Sequence, residues 1–158
     1  MPVIIDGHNL LHAIRKADEG FESISDVQLC RIIGRYFKLI GETGEIIFDG
    51  TGPRDKSGFD NISNLEVFFA GQSSADTVIE DKIKASTAPR RLTIISSDRR
   101  LRKAAQTRKA TAVKSEVFWK NVQKQLRRKR TVKEPPEKRL GLTESETEHW
   151  LEIFGLEQ

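Results

Sequence analysis

The sequence predicts an α/β protein built on a mainly parallel sheet of about five strands, with helices on both faces. Two observations on the 158 residues lead to this prediction. Short runs of aliphatic and aromatic residues alternate along the chain with longer segments in which apolar residues recur at helical spacing. The short runs are also apolar throughout, which is typical of parallel strands that are buried on both faces.

The first half of the chain is predicted to contain two strands, two helices and a long loop. In order, these are a strand at 3–5, a helix at 9–16, a helix at 25–40, a strand at 46–48 and a polar loop at 51–64. Asn9 is a suitable N-cap for the first helix, and Gly41 and Gly44 end the second. Long loops in compact domains are often functional.

The second half continues the alternation and then changes in character. Its predicted elements are a strand at 65–69, a helix that starts at 73–76, a strand at 92–95, a short basic helix that ends at 107, a strand at 111–113 and a helix from 115 to about 129. Pro135 and Pro136 then break the chain. We expect one domain over residues 1–129, a basic, proline-containing linker over 130–142, and a short amphipathic helix and tail over 143–158. The apolar side chains of this last helix either fold back onto the domain, which we favour, or bind a partner.

Composition restricts the class of protein. The single cysteine, Cys30, lies among aliphatic residues, so we expect it to be a buried core residue in a reducing compartment and not part of a disulfide or a zinc site. No segment reaches the roughly 20 apolar residues of a membrane span, and no basic stretch precedes the first apolar run as it would in a secretory signal. We therefore expect a cytoplasmic protein.

The net charge of +4 is unevenly distributed. Residues 99–133 contain 14 Lys and Arg against one acidic residue, whereas residues 1–98 contain 11 against 15. Such asymmetry indicates a polyanionic partner such as nucleic acid. The alternative is a solvated helix face followed by a disordered basic linker.

Three acidic residues are predicted to lie at the ends of strands. Asp6 follows the first strand, Asp76 stands at the helix start after the third, and Asp98 follows the fourth. If the first and fourth strands are neighbours, the three carboxylates meet at the carboxyl edge of the sheet, where open parallel sheets bind ligands. Carboxylates gathered there repel one another unless a cation neutralises them. A hard divalent ion, Mg²⁺ or Mn²⁺, suits a site made of oxygen ligands.

Each of these acids also has a purely structural explanation. Asp6 can form a turn with Gly7, and Asp98 can be a helix N-cap. Asp76 can stand third in a capping box headed by Ser73. Singly, each structural explanation is favoured, but three acids at three strand ends together favour a metal site.

Two further acids lie close to this group in the sequence. Glu80 is one helical turn beyond Asp76, where it is either a fourth ligand or the partner of Lys84 at i+4. Asp49 follows the second strand, but Asp49-Gly50 is a common turn sequence. We therefore assign Asp49 less functional weight.

Polar and basic neighbours of the acids are candidate supporting residues. Asn9 either steers a water or an acidic side chain, or caps the first helix. His8 could act as a base or contact phosphate, but an exposed histidine beside a turn is the more frequent case. Ser97 is interpreted as a solvated loop hydroxyl that could also bind a carboxylate or phosphate. Arg99 and Arg100 either grip phosphate or simply keep the helix soluble.

Four segments of the chain form a set that is specific when taken together. They are V-I-I-D-G-H-N-L at 3–10, I-I-F-D-G at 46–50, L-E-V-F-F-A-G-Q-S-S-A-D-T-V-I-E at 65–80 and I-I-S-S-D-R-R-L at 94–101. This set resembles the NYN-domain ribonucleases of the YacP-like family, within the wider group of PIN-like nucleases. The resemblance implies a PIN-like three-layer α/β/α sandwich and divalent-metal-dependent endoribonuclease activity. It also implies that Asp6, Asp76 and Asp98 are the metal-site acids and that Asn9 supports them.

The predicted function is metal-assisted hydrolysis of RNA phosphodiester bonds. Asp6, Asp76, Asp98 and Asn9 are the expected catalytic residues, with the three acids as metal ligands and Glu80 as a further candidate ligand. The expected partner is RNA, with messenger or ribosome-associated RNA as candidates. The residues expected to bind it are Arg99, Arg100, Arg102, Lys103, Lys120, Lys124, Arg127 and Arg128.

Other functions remain alternatives at this point. A non-catalytic RNA-binding module would keep the fold and use only its basic face. A DNA-directed PIN-like nuclease would use the same acids, since nothing in the sequence reads a 2′-hydroxyl. A phosphotransferase of the haloacid-dehalogenase type is disfavoured, because it needs a second Asp two residues after the first, where this chain has His8.

Overall fold

The computed structural model describes residues 2–17 and 19–133, and these form an α/β fold around a five-stranded parallel sheet. The strands are β1 (Val3–Asp6), β2 (Gly44–Phe48), β3 (Leu65–Phe69), β4 (Thr93–Ile95) and β5 (Thr111–Val113). The helices are α1 (Gly7–Ala17), α2 (Asp26–Ile40), α3 (Ala75–Ala85), α4 (Arg99–Thr107) and α5 (Ser115–Lys133). The predicted fold class is confirmed.

The strands lie in the order β3-β2-β1-β4-β5, and every adjacent pair is parallel. β1 is therefore central, and Ile5 pairs with Ile46 of β2 on one side and with Ile95 of β4 on the other. The chain moves outward in one direction through β2 and β3 and in the opposite direction through β4 and β5. The first and fourth strands are neighbours, which is the condition on which the predicted acidic group depends. The switch point of the sheet therefore lies beside the carboxyl end of β1.

Two apolar layers hold the helices against the sheet. Ile5 faces the layer formed with α1, α2 and α5, which includes Phe37 and Trp119. Ile4 faces the layer formed with α3 and α4, which includes Ile79 and Leu101. Successive residues of a strand point to opposite faces, so a strand covered on both sides must be apolar throughout. Each isoleucine buried in this way stabilises the fold by about 1.5 to 3 kcal/mol.

The turn from β1 into α1 is sharper than the sequence predicts. α1 begins at Gly7, directly after the strand, so that Asn9 lies inside the helix and its predicted role as N-cap is wrong. A Cβ on Gly7 would stand 2.5 Å from ring atoms of Phe48, so a larger residue cannot fit without movement of that ring. Glycine at this position brings the first turn of α1 against β2.

The boundaries of the other helices follow local signals. Ser25 caps α2 through a capping box with Gln28, and Gly41 ends the helix in the left-handed conformation, as predicted. Gly44, which was also predicted to end this helix, is the first residue of β2. α5 continues to Lys133, so residues 130–133, predicted to begin the linker, are helical. The rest of the predicted linker and the predicted C-terminal helix lie outside the described residues. Among the described helices, none has the length and apolar character needed to cross a membrane.

Candidate active site at the carboxyl edge of the sheet

Asp6 ends the central strand and is 5% exposed. The hydroxyl of Ser96 donates to Asp6 Oδ2 at 3.1 Å. Burial raises the pKa of Asp6 to about 6; the negative charges of Asp76 and Asp49 act in the same direction, while hydrogen bonds from Ser96 and from the Asn9 backbone oppose them. The carboxylate therefore lies in a pocket of negative potential at the switch point of the sheet.

Asp76 is the second residue of α3 and belongs to the same acidic group. The helix is capped by Ser74, whose Oγ accepts from the Thr77 N–H at 3.1 Å, so the capping box predicted from Ser73 is wrong. Asp76 has no part in the cap. Partial burial raises the pKa of Asp76, and the charges of Asp98 and Asp49 raise it further.

Asp98 combines a structural role with a place in the acidic group. It is the N-cap of α4, since its Oδ1 accepts from the Arg100 N–H at 2.8 Å. Its own N–H donates to Ser96 Oγ at 3.1 Å, which connects it to Asp6 through one hydroxyl. The structural explanation of Asp98 is thus confirmed, and its charge nevertheless acts on Asp76.

Asp49 is a fourth member of the group, although an acid in a common Asp-Gly turn is expected to have less functional weight. Its Oδ1 accepts from the N–H of Ala75, the first residue of α3, at 2.7 Å. Its Oδ2 lies 3.4 Å from His8 Nδ1, and its own N–H donates to that nitrogen at 3.3 Å. Since β2 is the direct neighbour of β1, an acid at the end of β2 necessarily lies close to Asp6. His8 is exposed, as predicted, and packs edge-on against Phe48.

Asn9 joins three segments beneath the acids. Its Oδ1 accepts from the Ser97 N–H at 2.9 Å and from the Ser115 hydroxyl at 2.6 Å. The Ser97 hydroxyl donates to Glu116 Oε2 at 2.7 Å and accepts from the Ser115 N–H at 3.0 Å. Ser97 is therefore not the solvated hydroxyl that was predicted. Asn9 supports the site by fixing the β4–α4 turn and the start of α5 to α1.

Glu80 is held by a cation from the neighbouring helix. Arg100 binds its carboxylate through both Nε and Nη2, with the Nη2 to Oε2 distance at 3.1 Å. The Arg100 guanidinium lowers the pKa of Glu80 and opposes the rise in the pKa of Asp76. The principal partner of the Glu80 carboxylate is Arg100, and the charge of Lys84 lowers its pKa to a smaller extent. The role of Glu80 as a fourth ligand stays a prediction.

The eight predicted nucleic-acid-binding residues do not form one surface. Arg99, Arg100, Arg102 and Lys103 belong to α4, and Lys120, Lys124, Arg127 and Arg128 belong to α5. These two helices cover opposite faces of the sheet. Both helices begin at the acidic edge: Asp98 caps α4, and Ser115 is the first residue of α5. From there the two helices run along different sides of the molecule.

The donor set fits a hard cation in its chemistry, although it is not a closed cage. Among residues 2–17 and 19–133, no three His, Cys, Asp or Glu side chains stand close enough to hold a metal ion together. Burial and mutual repulsion destabilise the charged forms of Asp6 and Asp76, and a cation between them would offset both effects. Mg²⁺ commonly binds proteins through one or two carboxylates and keeps several waters. Asp6 and Asp76 are suited to such an open site.

Known proteins share both the sequence pattern and the fold. The model of the YacP-like NYN domain matches residues 3–154. The crystal structure of Rae1 (YacP) from Bacillus subtilis is similar, with 19% identity and a TM-score of 0.66 over 98% of this chain and 92% of that chain. The structure of a single-substitution mutant of the same protein has 23% identity and a TM-score of 0.61 over 92% of this chain and 87% of that chain. No curated protein matches the chain significantly. Because the family model spans nearly all of its length, this protein belongs to the YacP-like NYN-domain family.

Proposed function

We propose that this protein is a divalent-metal-dependent endoribonuclease that hydrolyses RNA phosphodiester bonds at the acidic edge of its sheet. The observation that carries the proposal is the convergence of Asp6, Asp76 and Asp98, with Asp49, beside the switch point. Membership of a nuclease-like family and the basic helices that begin at this edge support it. Together they favour a polyanionic substrate and a cation that lets it approach the carboxylates.

Asp6 and Asp76 are the residues that would hold the ion, with Asp98 beside them. A bound Mg²⁺ or Mn²⁺ would supply Lewis acidity and a water of lowered pKa. Glu80 would not hold the ion, because Arg100 occupies its carboxylate. Carboxylates neutralised by such an ion would no longer repel a phosphodiester, which is the electrostatic condition for substrate to bind here.

The remaining residues orient the acids. Ser96 fixes the rotamer of Asp6 with its hydroxyl, and Asp49 holds the first N–H of α3, the helix that carries Asp76. Asn9 holds the turn that leads to Asp98. Such contacts matter because catalytic groups must be kept within a fraction of an ångström of their working positions.

The test is a cleavage assay on matched single-stranded RNA and DNA with Mg²⁺, with Mn²⁺ and with a chelator. We expect metal-dependent internal cleavage of RNA, with loss on the order of 10²- to 10³-fold in Asp76→Asn. Asp81→Asn is the matched control, since Asp81 is exposed on the same helix and undergoes the same chemical change. It should cleave at the wild-type rate.

The outcome also decides between the alternatives. RNA binding without cleavage under every metal condition would indicate the non-catalytic module. Cleavage of DNA in preference to RNA would indicate the DNA-directed nuclease. Equal rates for wild type and Asp76→Asn would remove the acidic group from the mechanism.

A further inference from the structure

The outward side of α5 carries a row of exposed cations, Lys120, Lys124 and Arg128, which we call the α5 row. Its members are spaced at i, i+4 and i+8 and therefore lie on one side of the helix, over about 12 Å. The opposite side is buried through Trp119 and Val122. With Gln123 and Arg127, the α5 row lines a shallow groove on the surface of the helix.

The α5 row begins next to the acidic edge. Ser115 and Glu116, the first residues of α5, are hydrogen-bonded to Asn9 and Ser97. From there to residue 133 the sequence contains no Asp or Glu, so no negative side chain of the helix interrupts the α5 row. Val117, which is 55% exposed, stands between the edge and the first cation and offers an apolar contact to a base or a ribose.

Two cations on the opposite face of the sheet, Arg100 and Arg108, are committed to other contacts. Arg100 binds Glu80, and both terminal nitrogens of Arg108 donate to backbone oxygens, at 2.9 Å to Lys84 and 2.8 Å to Ser86. Arg100 and Arg108 tie α4 to α3. The three members of the α5 row are exposed, as are Arg99 and Lys103 of α4. However, α4 covers the opposite face of the sheet from α5.

We propose that the α5 row binds the backbone of a single RNA strand on one side of the cleavage position, and that α4 does not continue this path. The inference rests on the proposed function and deepens it, because it makes the substrate a strand that extends several nucleotides from the acidic edge along α5. A positively charged groove that follows the sugar-phosphate backbone is one of the two usual components of single-strand binding surfaces. Affinity then increases with strand length until the strand covers the α5 row.

The test compares two triple variants with the same change in net charge. Lys120→Gln/Lys124→Gln/Arg128→Gln removes the α5 row, and Arg90→Gln/Arg91→Gln/Lys109→Gln removes exposed cations elsewhere on the surface. RNA binding is measured by fluorescence anisotropy in EDTA, with a very short oligonucleotide and with one of about 12 nucleotides. Thermal melting of each variant checks that it is folded.

We expect the wild type and the control to bind the longer RNA more tightly than the shorter one. The variant without the α5 row should lose this gain, and its plot of log affinity against log salt should be less steep by about 2, since each contact to a single-stranded phosphate contributes about 0.7. Equal affinity and equal slope in the two triple variants would overturn the proposal. Loss of binding to vesicles containing phosphatidylserine, with RNA binding unchanged, would also overturn it and would assign the α5 row to a membrane surface.

The cleavage assay separates this inference from the proposed function. If the wild type cleaves RNA and the variant without the α5 row binds and cleaves long RNA as the control does, the inference fails and the function stands. If no protein cleaves RNA but removal of the α5 row abolishes the gain with length, the function fails and the binding surface stands.

Discussion

The hydroxyl of Ser96 stands between two acids: it donates to the buried carboxylate of Asp6 at 3.1 Å and accepts from the backbone N–H of Asp98 at 3.1 Å. Ser96 is itself fully buried at the end of β4, the strand next to β1. One side chain thus satisfies the acid that ends the central strand and fixes the turn that begins α4. The contact is possible only because β1 and β4 are neighbours.

Removal of the Ser96 hydroxyl should change both the free energy of unfolding and the pKa of Asp6. Ser96→Ala leaves the Asp6 carboxylate buried without its side-chain donor, so we expect a loss of about 1 to 3 kcal/mol in the free energy of unfolding near neutral pH. The pKa of Asp6 should rise above the wild-type value of about 6. Urea unfolding and NMR titration of the carboxyl group measure the two effects. Ser73→Ala, at an exposed serine, should change stability by less than about 0.5 kcal/mol. An unchanged pKa in Ser96→Ala would contradict the assigned role.

The raised pKa of Asp6 makes stability depend on pH in a defined direction. The folded-state pKa, about 6, exceeds the ordinary value of 3.8, so the folded protein binds more protons than the unfolded chain between these values. The contribution of Asp6 to the free energy of unfolding is therefore most favourable below about pH 4 and declines as the pH rises to about 6. At 1.36 kcal/mol per pKa unit, the total decline is about 3 kcal/mol. Asp6→Asn cannot titrate. In EDTA, the stability of this variant relative to wild type should increase over that range, and a constant difference would show that the pKa is not raised.

Gly7 should be intolerant of a side chain. A Cβ there would lie 2.5 Å from ring atoms of Phe48, which is fully buried, so Gly7→Ala should cost about 1 to 3 kcal/mol through overpacking. Denaturant unfolding of Gly7→Ala, Phe48→Leu and the double variant measures this. Because the smaller side chain relieves the clash, the double variant should be more stable than the sum of the single effects predicts. Strict additivity would mean that the clash is not with Phe48.

The contact between Glu80 and Arg100 predicts that Glu80 is dispensable for chemistry. Glu80→Gln removes one charge of the pair and leaves Asp6 and Asp76 in place, so cleavage rates should stay within a few-fold of wild type. Asp76→Asn should lose activity on the order of 10²- to 10³-fold under the same conditions. Single-turnover rates in saturating Mg²⁺ compare them. If Glu80→Gln were as inactive as Asp76→Asn, Glu80 would have to leave Arg100 and act as a ligand.

The sheet could be predicted because its signal is local. Ile4 and Ile5 are consecutive apolar residues, a pattern typical of a strand that is buried on both faces. The structure buries them in separate apolar layers, one on each face of the sheet. The start of α1 was misplaced because the close approach of Gly7 to Phe48 is a tertiary contact. A turn sequence alone does not reveal how near the next strand will lie.

The convergence of acids could be predicted in part. Asp6, Asp76 and Asp98 follow from their places after strands, once β1 and β4 are taken to be neighbours. Asp49 received too little weight because Asp-Gly is a common turn, although its strand is the other neighbour of β1. Ser96 and Glu116 were missed because their roles depend on partners 90 and 19 residues away. The separation of the basic residues onto two faces likewise depends on topology, since α4 and α5 are consecutive helices that pack on opposite faces of the sheet.

Binding of Mn²⁺, followed by electron paramagnetic resonance, tests the central claim most directly, because it asks whether the carboxylates at the sheet edge share a cation without reference to any substrate. Wild type and the matched control Asp81→Asn should bind Mn²⁺ with the same affinity. Loss of an outer-shell partner of a metal site typically lowers metal affinity by roughly 10- to 100-fold. Asp76→Asn, which removes a proposed direct ligand, should weaken Mn²⁺ binding by at least this factor. Equal Mn²⁺ affinity in all three proteins would contradict the account.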